Sequence, residues 1–470
     1  MPPHYGRMAN TALARLLEAA ALSNAALARA VVSAGAREGI HLGTNATAVA
    51  RMLQGSQPRW PVPRLVASVL AKRLGYAIEV IDCGFVDKSE EVDTFDGFAC
   101  SPTVDGTIDT VAELSGRDMG RRNFLMGSAF VAASFAEPAL LALTMPTEHS
   151  AGRVRGPKIG SADVMMMLET IRHFENQGRK YGGAANREYV VQFVHQHADR
   201  ALRGTYTEEV GRSLHSALSQ ATWLAADRSV DTGRHALAQR YYTQALNLAL
   251  HAEDHAYAAN VLSEMSRATI DIANAAVSEA VTVRNGQHAA ALARSALDVA
   301  GTTTPALTSY LHAIEARAFA VLGNRRSTEE AVNNAQRAFE RAGGEEPEWF
   351  GFYGEADLMA DVGQCLRDIG RPRQGLALLE RSVEALPAGR VTAKAKTKVH
   401  IAAAYLELRE YEQAATTAEQ AVAEIGSLSS QRSRDRVQAL RHRVRRHGSD
   451  RRLSEMDDRL TEFLGEPIQP

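Results

Sequence analysis

The chain has little cysteine and uses it in no pattern: Cys83, Cys100 and Cys365 are three among 470 residues, with no CxxC spacing. An odd, scattered trio excludes a disulfide framework and reads as thiols of a reducing compartment. Aromatic residues supply only 6% of the chain, while alanine recurs throughout, which favours closely packed helices over sheets. Long apolar runs are missing too. The most apolar-looking stretch, "GRRNFLMGSAFVAASF" from Gly120 to Phe135, is followed at once by Glu137-Pro138. That falls short of the eighteen or so residues needed to span a bilayer. Its Arg121-Arg122 pair imitates a twin-arginine export signal, but such signals stand at the extreme N-terminus. The expectation is an internal helix, Arg121 to Phe135, docked inside the protein through Phe124, Leu125, Ala129 and Ala132. No membrane partner is expected, and export would require Met119 to be the true start.

Catalytic signatures are missing as well. There is no GxxxxGK[ST] phosphate loop, no GxGxxG strand-to-helix turn and no HExxH zinc helix. Ser128 sits in "MGSAF" and not in a GxSxG elbow. His195 and His197 stand two apart and so point to opposite sides of a helix, where they cannot share a metal. No catalytic residue, metal ligand or cofactor is expected, and an enzyme is not the reading.

What is present divides into a small basic head and a long acidic body. With 45% hydrophobic and 23% charged residues, a chain of this length has the composition of a globular protein of two or more units. The net charge of −2 hides an asymmetry. Met1 to Val86 holds nine Arg/Lys against four Asp/Glu, a balance of +5, so the remainder carries −7. Such a head is compatible with nucleic-acid contact.

Residues 11 to 75 read as four short helices. "TALARLLEAA" sets Leu13, Leu16 and Leu17 on one face, and Ser23 is a good N-cap for "NAALARAVVSAG". Thr44 or Asn45 caps "ATAVARMLQG", which stops at Gly55, and "PVPRLVASVLAKRLG" carries Leu65, Val66, Val69 and Leu70 on one stripe. Ser23-x3-Leu27-Ala28, Val49-x3-Leu53-x-Gly55 and Leu70-x3-Leu74-Gly75 make this region resemble the lambda-repressor-like helix-turn-helix. One departure is the connection "AREGIHLGTN", longer than the usual three- or four-residue turn. The resemblance implies a third helix, Thr44 to Gln54, in the major groove of double-stranded DNA. Thr44, Asn45, Thr47, Ala48 and Arg51 would then lie nearest base edges, with Gln57, Arg59 and Arg64 on phosphates. The alternative is a helical docking module with solvated arginines.

Residues 1–86 are thus expected as a helix-turn-helix-like domain and 87–118 as an acidic flexible linker, since Ser89 to Asp118 holds eight acidic residues and a single Arg. Residues 119–160 are the internal apolar helix and loop. From 161 to 446 the chain reads as a tetratricopeptide-like α-solenoid, and 447–470 as a tail or capping segment. In "ADLMADVGQCLRDIGRPRQGLALLERSVEALP", Gly363 holds the small position of a first helix, Gly370 the turn, and Gly375 the close contact of a second. The same phase returns at Gly233, Gly286, Gly323 and residue 409. Each hairpin leaves an apolar face bare, so several must stack. The fold class is therefore all-α, a four-to-five-helix head followed by a solenoid of helical hairpins.

The concave face of such a stack is its usual ligand surface. Asn260, Glu264 and Arg267 share one helical face, as do Asp357 and Asp361, and they are candidate clamps for a peptide, small molecule or protein. An ordinary solvated surface is the alternative. The helix "QRSRDRVQALRHRVRRHG" holds seven arginines between Arg432 and Arg446. It reads as a solvated cap of the array or, alternatively, as a second phosphate-contacting edge.

Order and wording together, from "TAVARMLQGSQPRWPVPRLVASVLAKRLG" through "GRRNFLMGSAF" and "HALAQRYYTQALNLALHAED" to "EWFGFYGEADLMADVGQCLRDIG", resemble a group of actinomycete regulators. These have a helix-turn-helix-like head and a tetratricopeptide-type body, and their best-known members are negative regulators of sporulation and antibiotic production. The resemblance implies a cytoplasmic transcriptional regulator of development or secondary metabolism. A homodimer is compatible with it, since one small head alone rarely gives useful operator affinity. An adaptor working only through protein contacts remains the second reading, and an exported scaffold the third.

Overall fold

Leu13 and Leu17, Leu27 and Val31, Val49 and Met52, and Leu65, Val66 and Leu70 are all enclosed, and the helices that carry them build the first of two units. In the computed structural model these units are Met1–Asp96 and Gly97–Pro470. The structure describes residues 9–20, 22–37, 42–74, 78, 80–85, 97–120, 130–144, 156–276, 278–448 and 450–465. Among the described residues there are twenty α-helices and no strand.

The head consists of α1 (Thr11–Ala19), α2 (Asn24–Arg37), α3 (Ala46–Leu53) and α4 (Val62–Leu74). Their starts are set by side chains that take up otherwise unpaired N–H groups. Asn10 Oδ1 accepts from Leu13 N–H at 2.9 Å, Ser23 Oγ from Ala26 N–H at 3.2 Å, and Asn45 Oδ1 from Ala48 N–H at 2.9 Å. Asn10 also donates through Nδ2 to the Cys83 carbonyl at 2.9 Å, and Ile78, Val80, Cys83 and Phe85 complete the core.

The second unit opens with a correction. The second half of the acidic stretch expected as a tether is α5 (Val104–Gly120), a helix with Ile108, Val111 and Leu114 buried. Those three stand at i, i+3 and i+6, so one apolar stripe runs through a segment whose average composition is polar. The residues before it lie along another helix, where Gln244 Nε2 donates to the carbonyls of Gly97 and Ala99. The Arg121–Phe135 helix is corrected in part. Residues 121–129, with Phe124, Leu125 and Ala129, lie outside the described residues. Val131 is extended and Ala132 to Phe135 form a 3-10 turn leading into α6 (Ala136–Thr144). This segment is docked: Ala132 and Phe135 are buried, and Gln239 brackets the Val131 backbone by both its amide atoms.

Next come α7 (Ser161–Tyr181) and α8 (Arg187–Arg203), the latter packed on α5. Six antiparallel hairpins follow: α9 (Glu208–Asp231) with α10 (His235–His251), α11 (His255–Ala275) with α12 (Glu279–Ala300), and α13 (Pro305–Val321) with α14 (Arg325–Phe339). Then α15 (Glu355–Asp368) pairs with α16 (Pro372–Ala385), α17 (Val391–Glu407) with α18 (Tyr411–Gly426), and α19 (Gln431–Arg446) with α20 (Arg451–Gly465). Gly233, Gly323 and Gly370 occupy turns in left-handed backbone, and Arg409 takes the equivalent turn at φ 62°. Gly286 does not. It lies inside α12, where a Cβ would stand 2.7 Å from Leu322, so it serves close packing between hairpins. A second device recurs within hairpins. The hydroxyl of a serine on one helix donates to a carbonyl of its partner: Ser219 to Ala245 at 2.6 Å, Ser266 to Ala289 at 2.8 Å and Ser382 to Ala356 at 2.7 Å.

The stack closes on itself. α7 packs on α17, and α19 packs on α9 and α11 as well as on its neighbour α17. The joint is made by backbone, with Ser429 N–H donating to Tyr181 O at 2.9 Å and Ala184 N–H to Ser429 O at 3.0 Å. Asp231 secures it, accepting from Gly183 N–H at 2.7 Å and from Ser430 Oγ at 3.1 Å. Among the described residues no single helix is long and apolar enough to cross a membrane.

Candidate functional site

In the head, α3 buries Val49 and Met52 and turns Thr47 and Arg51, one turn apart, outward with Gln54. Thr44 is half-buried and is not the cap. Ala48 packs against the core and offers only a half-buried methyl. Asn45 is exposed, but its carbonyl oxygen is committed to Ala48 N–H, and a bidentate contact with adenine needs that oxygen free. Gln57 and Arg59 are exposed on the loop after α3, and Arg64 is half-buried on α4. The outward strip therefore has one strong base-reading side chain, Arg51, next to residues suited to phosphate.

In the body, the closed stack surrounds a cavity of about 230 Å³. It is lined by eight cationic side chains and six carboxylates, with Trp223, Phe352 and Tyr353 between them. Glu264, Arg267, Asp357 and Asp361 of the expected concave face all line it. Asn260 does not. It lies a turn earlier on α11 and is enclosed, 3% exposed.

The carboxylates are taken up pairwise. Glu264 pairs with Arg267 and accepts from Tyr310 Oη at 2.5 Å. Asp357 pairs with Arg390 at 2.6 Å and Asp361 with Arg317 at 3.4 Å. Glu175 pairs with Arg179 at 3.1 Å. Asp227 stands between Arg228 at 2.5 Å and Arg432 at 2.8 Å. Just beyond the cavity lining, Arg436 holds Asp271 at 3.1 Å. Burial alone would favour protonated Asp227, but Arg432, Arg228 and Arg267 outweigh it and hold the carboxyl well below the usual carboxylate range. Glu175 and Asp361 go the other way. Burial pushes both upward, and Arg179 and Arg317 offset it only in part.

These pairs overturn the solvated reading of the arginine-rich helix. Arg432 and Arg434 are buried, and Arg436 reaches inward to Asp271. The reason lies in what separates the arginines: Val437, Leu440 and Val444 form a stripe that packs α19 against its neighbours and aims Arg432 and Arg436 at the acidic faces of α9 and α11. Arg441 and Arg445 share Asp457 of α20, and Arg443 pairs with Asp368 at 2.7 Å.

Sequence reasoning missed Glu175, Asp227, Asp231, Lys396, His400, Arg432 and Arg436. Their signal is a titratable pair four apart inside a helix: 227 and 231, 396 and 400, 432 and 436. Such a pair faces one way, and in a stacked array that way is the lumen or solvent.

Residues 13–86 match the family described as the SP15 N-terminal domain. No match to a curated protein was found.

Proposed function

We propose that the protein is a transcriptional regulator, acting in the cytoplasm on development or secondary metabolism, that binds DNA through its head and senses a ligand through its helical body. One observation carries the reading. A compact four-helix unit, with a net charge of +5 over residues 1–86, buries one face of its short third helix and turns Thr47, Arg51 and Gln54 outward. Support for the sensing half is the charged cavity in the repeat body.

The test is duplex binding by the intact protein over a salt series, beginning from a random-sequence pool and continuing with any enriched fragment. Binding should weaken steeply as salt rises, because released counterions drive it. Arg51→Ala should cost about 1–3 kcal/mol and relax sequence preference, and Arg59→Ala should lower the salt slope by about one. Absent or salt-insensitive binding, unchanged by either substitution, would favour the adaptor. That second reading draws on the engaged carbonyl of Asn45 and on Trp60, a large apolar side chain 40% exposed beside α4.

A further inference from the structure

The cavity inside the closed stack is rich in donors that have nothing to donate to. Lys396, on the inner face of α17, forms no hydrogen bond or ion pair among the described residues. Trp223 Nε1 and Arg432 Nε, both in the same lining, are buried without a hydrogen-bond acceptor. Asp231 Oδ1 stands 3.6 Å from Arg432 Nε, beyond hydrogen-bond distance. Asp231 and, more weakly, Asp227 are the acidic groups acting on Lys396, but both oxygens of Asp231 already accept from Gly183 and Ser430 and Asp227 is held by Arg228 and Arg432. Arg436, Arg432 and Arg267 add positive charge around the lysine. Leaving the buried N–H groups of Trp223 and Arg432 unpartnered is costly, and half-buried Lys396 brings an unpaired ammonium to the same lining. Acceptor oxygens carrying negative charge would satisfy all three donors and the excess of cations together.

We propose that this cavity is a binding site for a small oxyanion, a phosphate- or carboxylate-bearing metabolite held by Lys396, Arg432 and Trp223. Burial, then Arg436, pulls the Lys396 ammonium down to about 7. A bound anion would favour the charged form and oppose that shift. The assignment rests on the sensing half of the function proposed above. It is measured without DNA, so a head that binds no duplex leaves it intact.

The experiment is titration calorimetry and thermal melting of the full-length protein with inorganic phosphate, pyrophosphate and citrate, each against sodium chloride at equal ionic strength. Saturable binding of the phosphates, of citrate, or of both supports the site, and the stronger arm names the headgroup. Lys396→Met should weaken binding at least about tenfold, as expected for losing a hydrogen bond to a charged group. The same substitution should raise the melting temperature without ligand, because it removes an unpaired cation. Trp223→Phe, which keeps the ring and deletes only the Nε1 donor, should weaken binding without that rise. Lys398→Met, on the same helix but paired with Glu424, should leave affinity unchanged. No saturable binding of any probe, or equal affinity in wild type, Lys396→Met and Trp223→Phe, overturns the proposal.

Discussion

Asp118 reads in sequence as one more acid of a polar stretch, yet its carboxylate is fully enclosed. Arg187 meets it at 2.6 Å, Tyr241 Oη at 2.9 Å and Arg234 at 3.3 Å, so one side chain fastens α5 to α8 and α10. Removing one partner of a buried pair leaves the other charge stranded. Asp118→Ala should therefore lower unfolding free energy by about 3–5 kcal/mol, read from the urea midpoint. A loss below about 0.5 kcal/mol, the range of ordinary surface positions, would show the carboxylate to be solvated after all. Nothing in the spelling sets Asp118 apart from the seven other acids near it, because its role depends on Arg187 and Arg234, far along the chain. Asn45 is the opposite case: its position before an apolar helical run made it readable as a cap. The same capping contact then limits what it can do to a base.

At the scale of elements, the hairpins were legible because helical pairing leaves local marks. Gly363 and Gly375 are the clearest. A Cβ on Gly375 would stand 2.5 Å from the Gly363 carbonyl oxygen, and one on Gly363 would stand 2.9 Å from that of Gly375. The two backbones touch where no side chain fits. Gly375→Ala should destabilise the protein by about 1–3 kcal/mol despite alanine's better helix propensity, visible as a lower melting temperature. Stabilisation would mean that α15 and α16 can separate freely. Where the marks were ambiguous, reading failed. Gly286 suits a turn by residue type but packs against Leu322 inside α12, while the real link there, residues 276–278, has no glycine. The stripe Ile108, Val111 and Leu114 was outweighed by the acids around it, and the arginines of α19 drew more notice than Val437, Leu440 and Val444 between them.

For the whole repeat body, a periodic sequence announces that hairpins stack but not that the last of them meets the first. Closure depends on small rotations summed over the array, and no single residue records that sum. It also changes the energetics. In an open solenoid each repeat contacts only its neighbours, so losing the last hairpin costs one interface. Here α19 supplies Arg432 to Asp227 and Arg436 to Asp271, on helices far upstream. A chain ending at Leu428 should therefore lose hydrogen-exchange protection in α9 and α11 and not only in α17 and α18. Unaltered exchange in α9 and α11 would reduce the joint to a passive contact. The Gly183–Asp231–Ser430 clasp has a consequence for biosynthesis as well. A ribosome delivers Asp227 and Asp231 some two hundred residues before Ser430 and Arg432. The half-made body must wait with these carboxylates lacking their later partners, open to proteases until the final helices emerge. Prematurely terminated products should therefore be cleared faster than finished copies.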